Sequence, residues 1–255
     1  MSLVVLAWLA LFGLMIGSFL NVCIARLPVG ESIVSPASRC PSCHRPIAWY
    51  DNVPVLSYAL LGGRCRACRT AISLRYPIVE ILTAVAFVVQ GYWFAEDPLL
   101  LAQRLVFTAI LIVLFGTDLD TQRLPNVITL PGIGVGLVFS VFLQPGLVAC
   151  GVGAAVGAGV LLAIRWGWKR LTGVEGMGLG DVKMLAMIGA FLGWQQVPVV
   201  LFLASLWGAV VGVTLSIAGR RSLQSRLPFG TFLAVAAYLA SLVGNELVAW
   251  YVGMY

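Results

Sequence analysis

The stretch LVVLAWLALFGLMIGSFLNVCI (residues 3–24) holds 22 consecutive residues without a charged side chain. Since about 20 apolar residues in a helix cross the hydrocarbon core of a bilayer, this run predicts a membrane-spanning helix. No basic residue precedes the run, and Arg26 follows it. That order favours an uncleaved anchor, with its N terminus outside the cytoplasm, over a secretory signal peptide.

Similar apolar runs recur along the whole chain, which has 255 residues and is 60% hydrophobic but only 10% charged. About eight runs are long enough to predict membrane spans. They cover residues 3–24, 77–94, 99–117, 127–143, 147–165, 182–196, 198–218 and 230–252. The sixth is short, because Gly193 and Pro198 crowd its end. The sequence therefore predicts an all-α polytopic membrane protein of about eight transmembrane helices.

Basic residues predict the orientation, since cytoplasmic loops carry an excess of lysine and arginine. On the eight-span prediction, Arg104 alone of the 16 basic residues lies on the opposite side of the membrane from the others. The others are Arg26, Arg39, Arg45, Arg64, Arg66, Arg69, Arg75, Arg123, Arg165, Lys169, Arg170, Lys183, Arg220, Arg221 and Arg226. We therefore expect both termini in the periplasm. The net charge of +6 favours contact with anionic lipid, and its spread over four loops argues against nucleic-acid binding.

The loop between the first two spans contains two C-x-x-C pairs, CPSC (40–43) and CRAC (65–68), separated by 21 residues. This spacing is close to that of a zinc ribbon, in which each pair supplies two thiolates to one tetrahedral ion. Cys40, Cys43, Cys65 and Cys68 therefore predict a structural zinc site in a small cytoplasmic loop domain. An iron centre and two disulfides are the alternatives, although a reducing cytoplasm disfavours disulfides.

The remaining metal-binding side chains of the chain have simpler interpretations. His44 is the only histidine and adjoins a C-x-x-C pair, but four cysteines already complete a tetrahedral shell. Cys23 and Cys150 lie in apolar runs, where a free cysteine behaves as a small buried hydrophobic residue. A closed shell of four thiolates leaves no open position for catalysis. The predicted ion therefore organises the loop and does not form the reaction centre.

Three aspartates lie at similar depth on the cytoplasmic side of the predicted spans. Asp118 and Asp120 stand in FGTDLDTQRLPN (115–126), and Asp181 stands in GMGLGDVKM (176–184). Two carboxyl groups a few ångströms apart share one proton, which suits aspartic-protease chemistry. Residues i and i+2 of a helix point about 200° apart, so Asp118 and Asp120 are not expected to pair with each other. One of them is expected to pair with Asp181.

Four further residues are candidates for support of this site. Gly178 and Gly180 remove side chains beside Asp181 and permit positive φ, although a simple flexible loop is the alternative. Lys183 either extends to the membrane surface or orients a carboxylate or a substrate carbonyl. Glu80, near the start of the second span, acts either as a capping or interfacial residue or as a substrate contact.

Five ordered blocks of the sequence resemble the type 4 prepilin peptidases, which are also called leader peptidase/N-methyltransferases and have G-x-G-D aspartyl protease motifs. The blocks are GSFLNVCIARLP (17–28), the loop from CPSC to ISLRYPIVE (40–80), DLDTQRLPN (118–126), GLGDVK (178–183) and LPFGTFLA (227–234). The resemblance implies a bacterial inner-membrane enzyme that removes the basic leader of type IV prepilins or type II secretion pseudopilins. It assigns catalysis to Asp118 and Asp181, with Asp120 as a candidate for support.

The same resemblance implies a second reaction and a division of the chain. The four cysteines are typical of the bifunctional branch, which methylates the new N terminus with S-adenosylmethionine. We expect residues 1–25 to form the first transmembrane helix, 26–76 the methyltransferase-associated metal loop, and 77–255 the peptidase domain. The alternatives are a peptidase without methylation, an ion-coupled transporter and a non-catalytic assembly scaffold. The sequence predicts neither the oligomeric state nor the site of the methyl donor.

Overall fold

The computed structural model describes residues 2–174, 176–218 and 227–253. Within these ranges the chain forms nine α-helices and two 3-10 helices, and it contains no β-strand. The α-helices are α1 (Leu3–Arg26), α2 (Leu56–Leu60), α3 (Arg75–Phe94), α4 (Pro98–Thr121), α5 (Asn126–Ser140), α6 (Leu147–Thr172), α7 (Leu179–Leu192), α8 (Gln196–Ile217) and α9 (Phe229–Val252). Apart from the short α2, they follow the eight predicted spans in order, so the predicted all-α fold is confirmed.

Several helices extend beyond the apolar runs that predicted them. The helix α4 continues to Thr121 instead of ending at residue 117, and α6 continues to Thr172 instead of residue 165. Hydropathy marks where a helix leaves the bilayer, whereas backbone hydrogen bonds carry it further into the polar region. Arg220, Arg221 and Arg226, of the last predicted cytoplasmic loop, lie outside the described residues.

The chain divides into two compact units, Met1–Val113 and Leu114–Tyr255. In the first unit α1 packs closely on α3, because Gly13 and Gly17 bring the two backbones together. A Cβ atom on Gly13 would lie 2.6 Å from the Cα atom of Ala84, and one on Gly17 would lie 2.7 Å from the Cα atom of Glu80. This G-x-x-x-G spacing places both glycines on one helix face, as in many membrane helix pairs.

The helix α7 is the core of the second unit and packs against α5, α6 and α9. Every residue from Met184 to Leu192 is buried, which suits a helix that is apolar on all its faces. A second G-x-x-x-G pair, Gly153 and Gly157, faces α7 from α6: Cβ atoms there would lie 2.5 Å from the carbonyl oxygen of Gly189 and 2.6 Å from that of Leu185. Small residues therefore set the separation of these two helices.

Glycines directly follow the last residues of both α6 and α7. The helix α6 ends at Gly173, whose φ is 75°, and α7 ends at Gly193, whose φ is 85°. Both conformations favour glycine, because a Cβ atom is strained there. Gly193 therefore accounts for the shortness that the sequence predicts for the sixth span.

In the described part of the chain, five helices are long and apolar enough to cross a membrane: α1, α3, α4, α6 and α8. The first of these spans includes the short 3-10 turn that follows α1 and ends at Val29. The helix α5 and residues 229–244 of α9 are apolar but shorter. The 14 residues of α7 extend about 21 Å, less than the roughly 30 Å of hydrocarbon. Neighbouring helices cover α7, so it does not need to match the bilayer by itself. The protein is a multi-pass membrane protein.

Two glycines of α6 that lie two residues apart test this packing. Gly157→Ala is expected to lower the free energy of unfolding by about 1–3 kcal/mol, because the new methyl group would meet the backbone of α7. Gly159→Ala is the matched control, since no atom lies within 4 Å of its added Cβ. We expect that variant to keep or slightly raise the melting temperature in detergent. Equal losses of melting temperature in both variants would contradict the packing.

Candidate active site and metal centre

Asp118 lies near the carboxyl end of α4, and only 4% of its surface is exposed. Its Oδ2 atom accepts a hydrogen bond of 2.9 Å from the backbone N–H group of Thr231, and the N–H group of Gly230 also donates to it. These donors belong to the first turn of α9, where backbone N–H groups have no partner within the helix. The N terminus of α9 is therefore an anion site occupied by the Asp118 carboxylate.

Asp181 lies in the first turn of α7 and is half-buried. The backbone N–H group of Gly178, the residue that caps this helix, donates a hydrogen bond to its carboxyl group. The positive end of the helix dipole favours a carboxylate at this position. Asp118 is close enough to interact electrostatically with Asp181. The structure therefore brings these two predicted residues together, each at a helix N terminus.

Leu124 packs between α7, which carries Asp181, and the first turn of α9, which binds Asp118. Cβ atoms added to Gly180 and Gly230 would lie 3.0 Å and 3.1 Å from its side chain, and the one on Gly230 would also lie 2.9 Å from Asp118. Both glycines thus permit a close approach of these side chains to the backbone. The positive φ that the sequence suggested for this segment is wrong for Gly178, whose φ is −75°.

Of the other predicted support residues of this unit, Lys183 is half-buried and Asp120 is exposed. Lys183 donates a hydrogen bond of 2.8 Å from Nζ to the Oδ1 atom of Asn126, the first residue of α5. This bond joins the two aspartate-bearing segments of the sequence. Asp120 is exposed, two residues beyond the buried Asp118 on the same helix. The roles of these residues stay predictions.

Glu80 lies in the first unit and is buried, with 7% of its surface exposed. Its Oε2 atom accepts a hydrogen bond of 2.7 Å from the backbone N–H group of Val55, which precedes α2. This contact connects α3 to the start of α2, and the role of Glu80 stays a prediction.

Sequence reasoning missed three residues around Asp118: Leu124, Gly230 and Thr231. The only signal for them was their presence in the blocks 118–126 and 227–234, which carried the family resemblance without a role. Their contacts with Asp118 or its neighbours join positions about a hundred residues apart. Such contacts depend on the tertiary packing, which one sequence does not specify.

Two carboxyl groups, one buried and one half-buried, that interact in this way can do acid–base work. Two neighbouring carboxylates cannot both ionise cheaply, so the pair holds one proton between them. The ionised member can then take a proton from water while the other donates one to a carbonyl oxygen. The helix N termini keep both groups oriented for this exchange.

The four predicted metal ligands cluster in the first unit. The Sγ atoms of Cys40, Cys43, Cys65 and Cys68 all lie within 4.8 Å of one another, and those of Cys40 and Cys68 are 3.7 Å apart. Four thiolates at about 2.3 Å from one ion would stand about 3.8 Å apart in a regular tetrahedron. All four are free thiols, so the alternative of two disulfides does not apply. The cluster could hold one metal ion.

The two C-x-x-C turns have the same backbone structure. In the first, the N–H group of His44 donates to the carbonyl oxygen of Cys40; in the second, Arg69 donates to Cys65, both at 2.9 Å. His44 and Arg69 both have positive φ, at 57° and 60°. His44 thus serves as a turn residue, equivalent to an arginine, and it is not part of the ligand cluster. The repeated turns explain how a loop with little apolar core presents four thiolates to one point.

Hydrogen bonds favour the thiolate form of two cysteines in this cluster. The hydroxyl and backbone N–H groups of Thr70 lower the pKa of Cys68 to about 6. Backbone N–H groups of Cys43 and Ser42 lower the pKa of Cys40. For Cys43, the backbone hydrogen bond at Arg45 lowers the pKa, but desolvation and the neighbouring thiols Cys68 and Cys40 outweigh it and raise the pKa to about 11. Because the thiolate is the form that binds metal, the contacts of Cys68 and Cys40 suit a metal site.

Comparison with known proteins assigns both halves of the chain to described families. Residues 11–94 match the bacterial peptidase A24 N-terminal domain, and residues 105–213 match the type IV leader peptidase family. No solved structure matches the chain.

Several relatives with one and the same name match this chain over most of their length. A prepilin leader peptidase/N-methyltransferase of Aeromonas salmonicida (strain A449) is 42% identical, over 94% of this chain and 91% of the relative. One from Pseudomonas putida is 40% identical, over 93% and 90%, and one from Klebsiella pneumoniae is 44% identical, over 78% and 90%.

Cobalt substitution tests the thiolate cluster independently of any activity. The purified protein is expected to bind one Co²⁺ ion per chain with the strong sulfur charge-transfer absorption of four thiolate ligands. Cys43→Ser and Cys65→Ser are each expected to reduce this absorption, because each removes a ligand. Cys150→Ala is the matched control, since Cys150 is buried in α6, outside the cluster. A spectrum unchanged in both serine variants would contradict the assignment.

Proposed function

This chain belongs to the type IV leader peptidase family, and we propose that Asp118 and Asp181 are the catalytic pair with which it cleaves prepilins. The observation that supports this pair is the electrostatic interaction of two carboxyl groups, each of which accepts a backbone hydrogen bond at a helix N terminus. The chain is a membrane-embedded peptidase with N-methyltransferase activity, like the relatives that it matches over most of their length.

In the proposed cleavage, one carboxylate of the pair takes a proton from a water molecule, which attacks the scissile carbonyl carbon. The other carboxyl group donates its proton to the carbonyl oxygen, and the pair then returns a proton to the leaving amine. The backbone N–H groups at Asp118 fix the direction of its carboxylate. Burial of Asp118 limits the competition of bulk water for these hydrogen bonds.

We propose that this chemistry takes place at the cytoplasmic face of the inner membrane. Both termini are assigned to the periplasm, and the metal loop and the aspartates to the cytoplasmic side, because 15 of the 16 basic residues lie on that side of the eight-span prediction. The substrate would keep its basic leader in the cytoplasm and its apolar helix in the bilayer. Its scissile bond would then lie at the depth of the aspartates. The prepilin or pseudopilin class of substrate follows from family membership.

We assign zinc to the four-cysteine cluster and S-adenosylmethionine to the methylation reaction. A shell of four thiolates at the observed separations suits zinc, and the ion would fold the loop without taking part in the reaction. S-adenosylmethionine would supply the methyl group for the new N-terminal amine. The metal loop, residues 26–76 in the sequence prediction, would serve this second reaction, and residues 77–255 the first.

Replacing either aspartate with asparagine tests the catalytic pair. Asp118→Asn and Asp181→Asn are each expected to slow leader cleavage by about a hundredfold to ten-thousandfold, because neither variant retains a pair that shares a proton. Cleavage of a prepilin peptide is followed by mass spectrometry with the purified protein in detergent. Asp120→Asn is the matched control: it removes an exposed carboxylate from the same segment, and we expect cleavage to persist. Retained cleavage in either Asp118→Asn or Asp181→Asn would refute the pair.

Removal of the metal tests the division between the two reactions. After chelation, methylation of the cleaved peptide by S-adenosylmethionine is expected to fall much more than cleavage, because the loop unfolds without its ion. Product masses report both reactions in one assay, and re-addition of Zn²⁺ is expected to restore methylation. Equal loss of both activities would show that the metal loop is not confined to the second reaction.

A further inference from the structure

Glu80 is a buried acid that the peptidase chemistry does not use. It lies six residues into the membrane helix α3, where a carboxyl group is costly unless it has partners or a function. Its partners come from two different segments: the backbone N–H group of Val55 in the metal loop, at 2.7 Å, and the hydroxyl group of Ser18 on α1. Glu80 therefore ties the metal loop to both helices that flank it in the chain.

The loop residue that Glu80 holds has a strained backbone. Val55 has φ 61° and ψ −47°, and positive φ is a genuine outlier for a β-branched side chain. Such a conformation persists only where surrounding contacts fix it, and it is concentrated at functional sites. The hydrogen bond from the Val55 N–H group to Glu80 is such a contact, because it holds the strained peptide in place.

The segment fixed by Glu80 forms one wall of a cavity. The cavity has a volume of about 360 Å³, within the usual range for small-molecule sites, and lies between α1 and the metal loop. Ser18 lines it on the helix side and Pro54, adjacent to Val55, lines it on the loop side. Glu80 therefore forms hydrogen bonds with Ser18, which lines one wall, and with Val55, whose neighbour Pro54 lines the opposite wall.

We propose that Glu80 is a positioning residue for the methyl transfer: it holds the strained Val55 turn of the metal loop against α1 and so sets the width of the cavity between them. This inference deepens the proposed function and rests on its methyltransferase reaction. It gives Glu80 no contact with the reacting atoms. A loop held by one buried hydrogen bond at a strained residue would close or shift when that bond is lost.

Four variants of the full-length protein separate positioning from general stability. Glu80→Ala removes the acceptor and is expected to lower kcat/KM for methylation by about tenfold to a hundredfold, as for loss of a hydrogen bond to a charged group. Glu80→Gln keeps an acceptor oxygen and is expected to lose less. Adding Val55→Gly to Glu80→Ala is expected to restore methylation to within about threefold of the wild type, because glycine adopts positive φ without strain. Leader cleavage, measured on the same samples, is expected to persist in all three.

Thr83→Val is the fourth variant and serves as the matched control. Thr83 lies three residues beyond Glu80 on α3 and is fully buried against Gly17 of α1. Among the described residues, its hydroxyl group donates a hydrogen bond only within its own helix, to the carbonyl oxygen of Val79. We expect it to retain both activities. This substitution is also made in the buried α1–α3 interface. It therefore shows how a disturbance of that interface alone changes methylation and cleavage.

The outcomes that overturn the inference differ from those that overturn the function. Unchanged methylation in Glu80→Ala, equal losses of cleavage and methylation, or failure of Val55→Gly to restore methylation would each refute the positioning role. If Glu80→Ala does not fold, the comparison rests on Glu80→Gln with and without Val55→Gly, and the same restoration is required. A wild-type protein that cleaves but does not methylate would instead refute the proposed second reaction, and this inference with it.

Discussion

The proposed active site depends on one electrostatic constraint: a buried carboxylate must be surrounded by hydrogen-bond donors. Asp118 meets this constraint at the N terminus of α9, and Asp181 meets it at the N terminus of α7. The backbone supplies these donors, so no charged side chain is needed, which suits a membrane enzyme with only 10% charged residues. Because the first turns of α7 and α9 provide the donors, both turns must lie close to the aspartates that they hold. The glycines at Gly180 and Gly230 permit that approach.

The two units solve the problem of fixing polar groups by different means. In the second unit, an apolar helix buried on all faces, α7, carries its aspartate at the end, where the helix dipole favours it. In the first, two equivalent turns bring four thiolates together in a loop that has few apolar contacts of its own. A single buried carboxyl group, Glu80, then connects this loop to the helices beside it. Backbone N–H groups are the donors in all of these arrangements.

Local patterns made the fold and the metal cluster predictable from sequence, whereas the contacts around the aspartates were not. Apolar runs predicted all eight long helices, and the 21-residue spacing of the C-x-x-C pairs predicted the cysteine cluster. The G-x-x-x-G pairs Gly13/Gly17 and Gly153/Gly157 were visible in the sequence and would have indicated two helix contacts. By contrast, nothing local distinguishes Gly230 from the chain's other glycines, or Val55 from other loop valines. Their roles arise from residues far away in the chain.

The central claim is that Asp118 and Asp181 hold one proton between them. Infrared spectroscopy tests it most directly, because the C=O stretch of a protonated carboxyl group is separated from the bands of carboxylates. Difference spectra at neutral pH are taken between the wild type and each of the two asparagine variants. The account predicts that both variants lose the same single band of a protonated acid. Loss of that band in only one variant, or in neither, would contradict a shared proton.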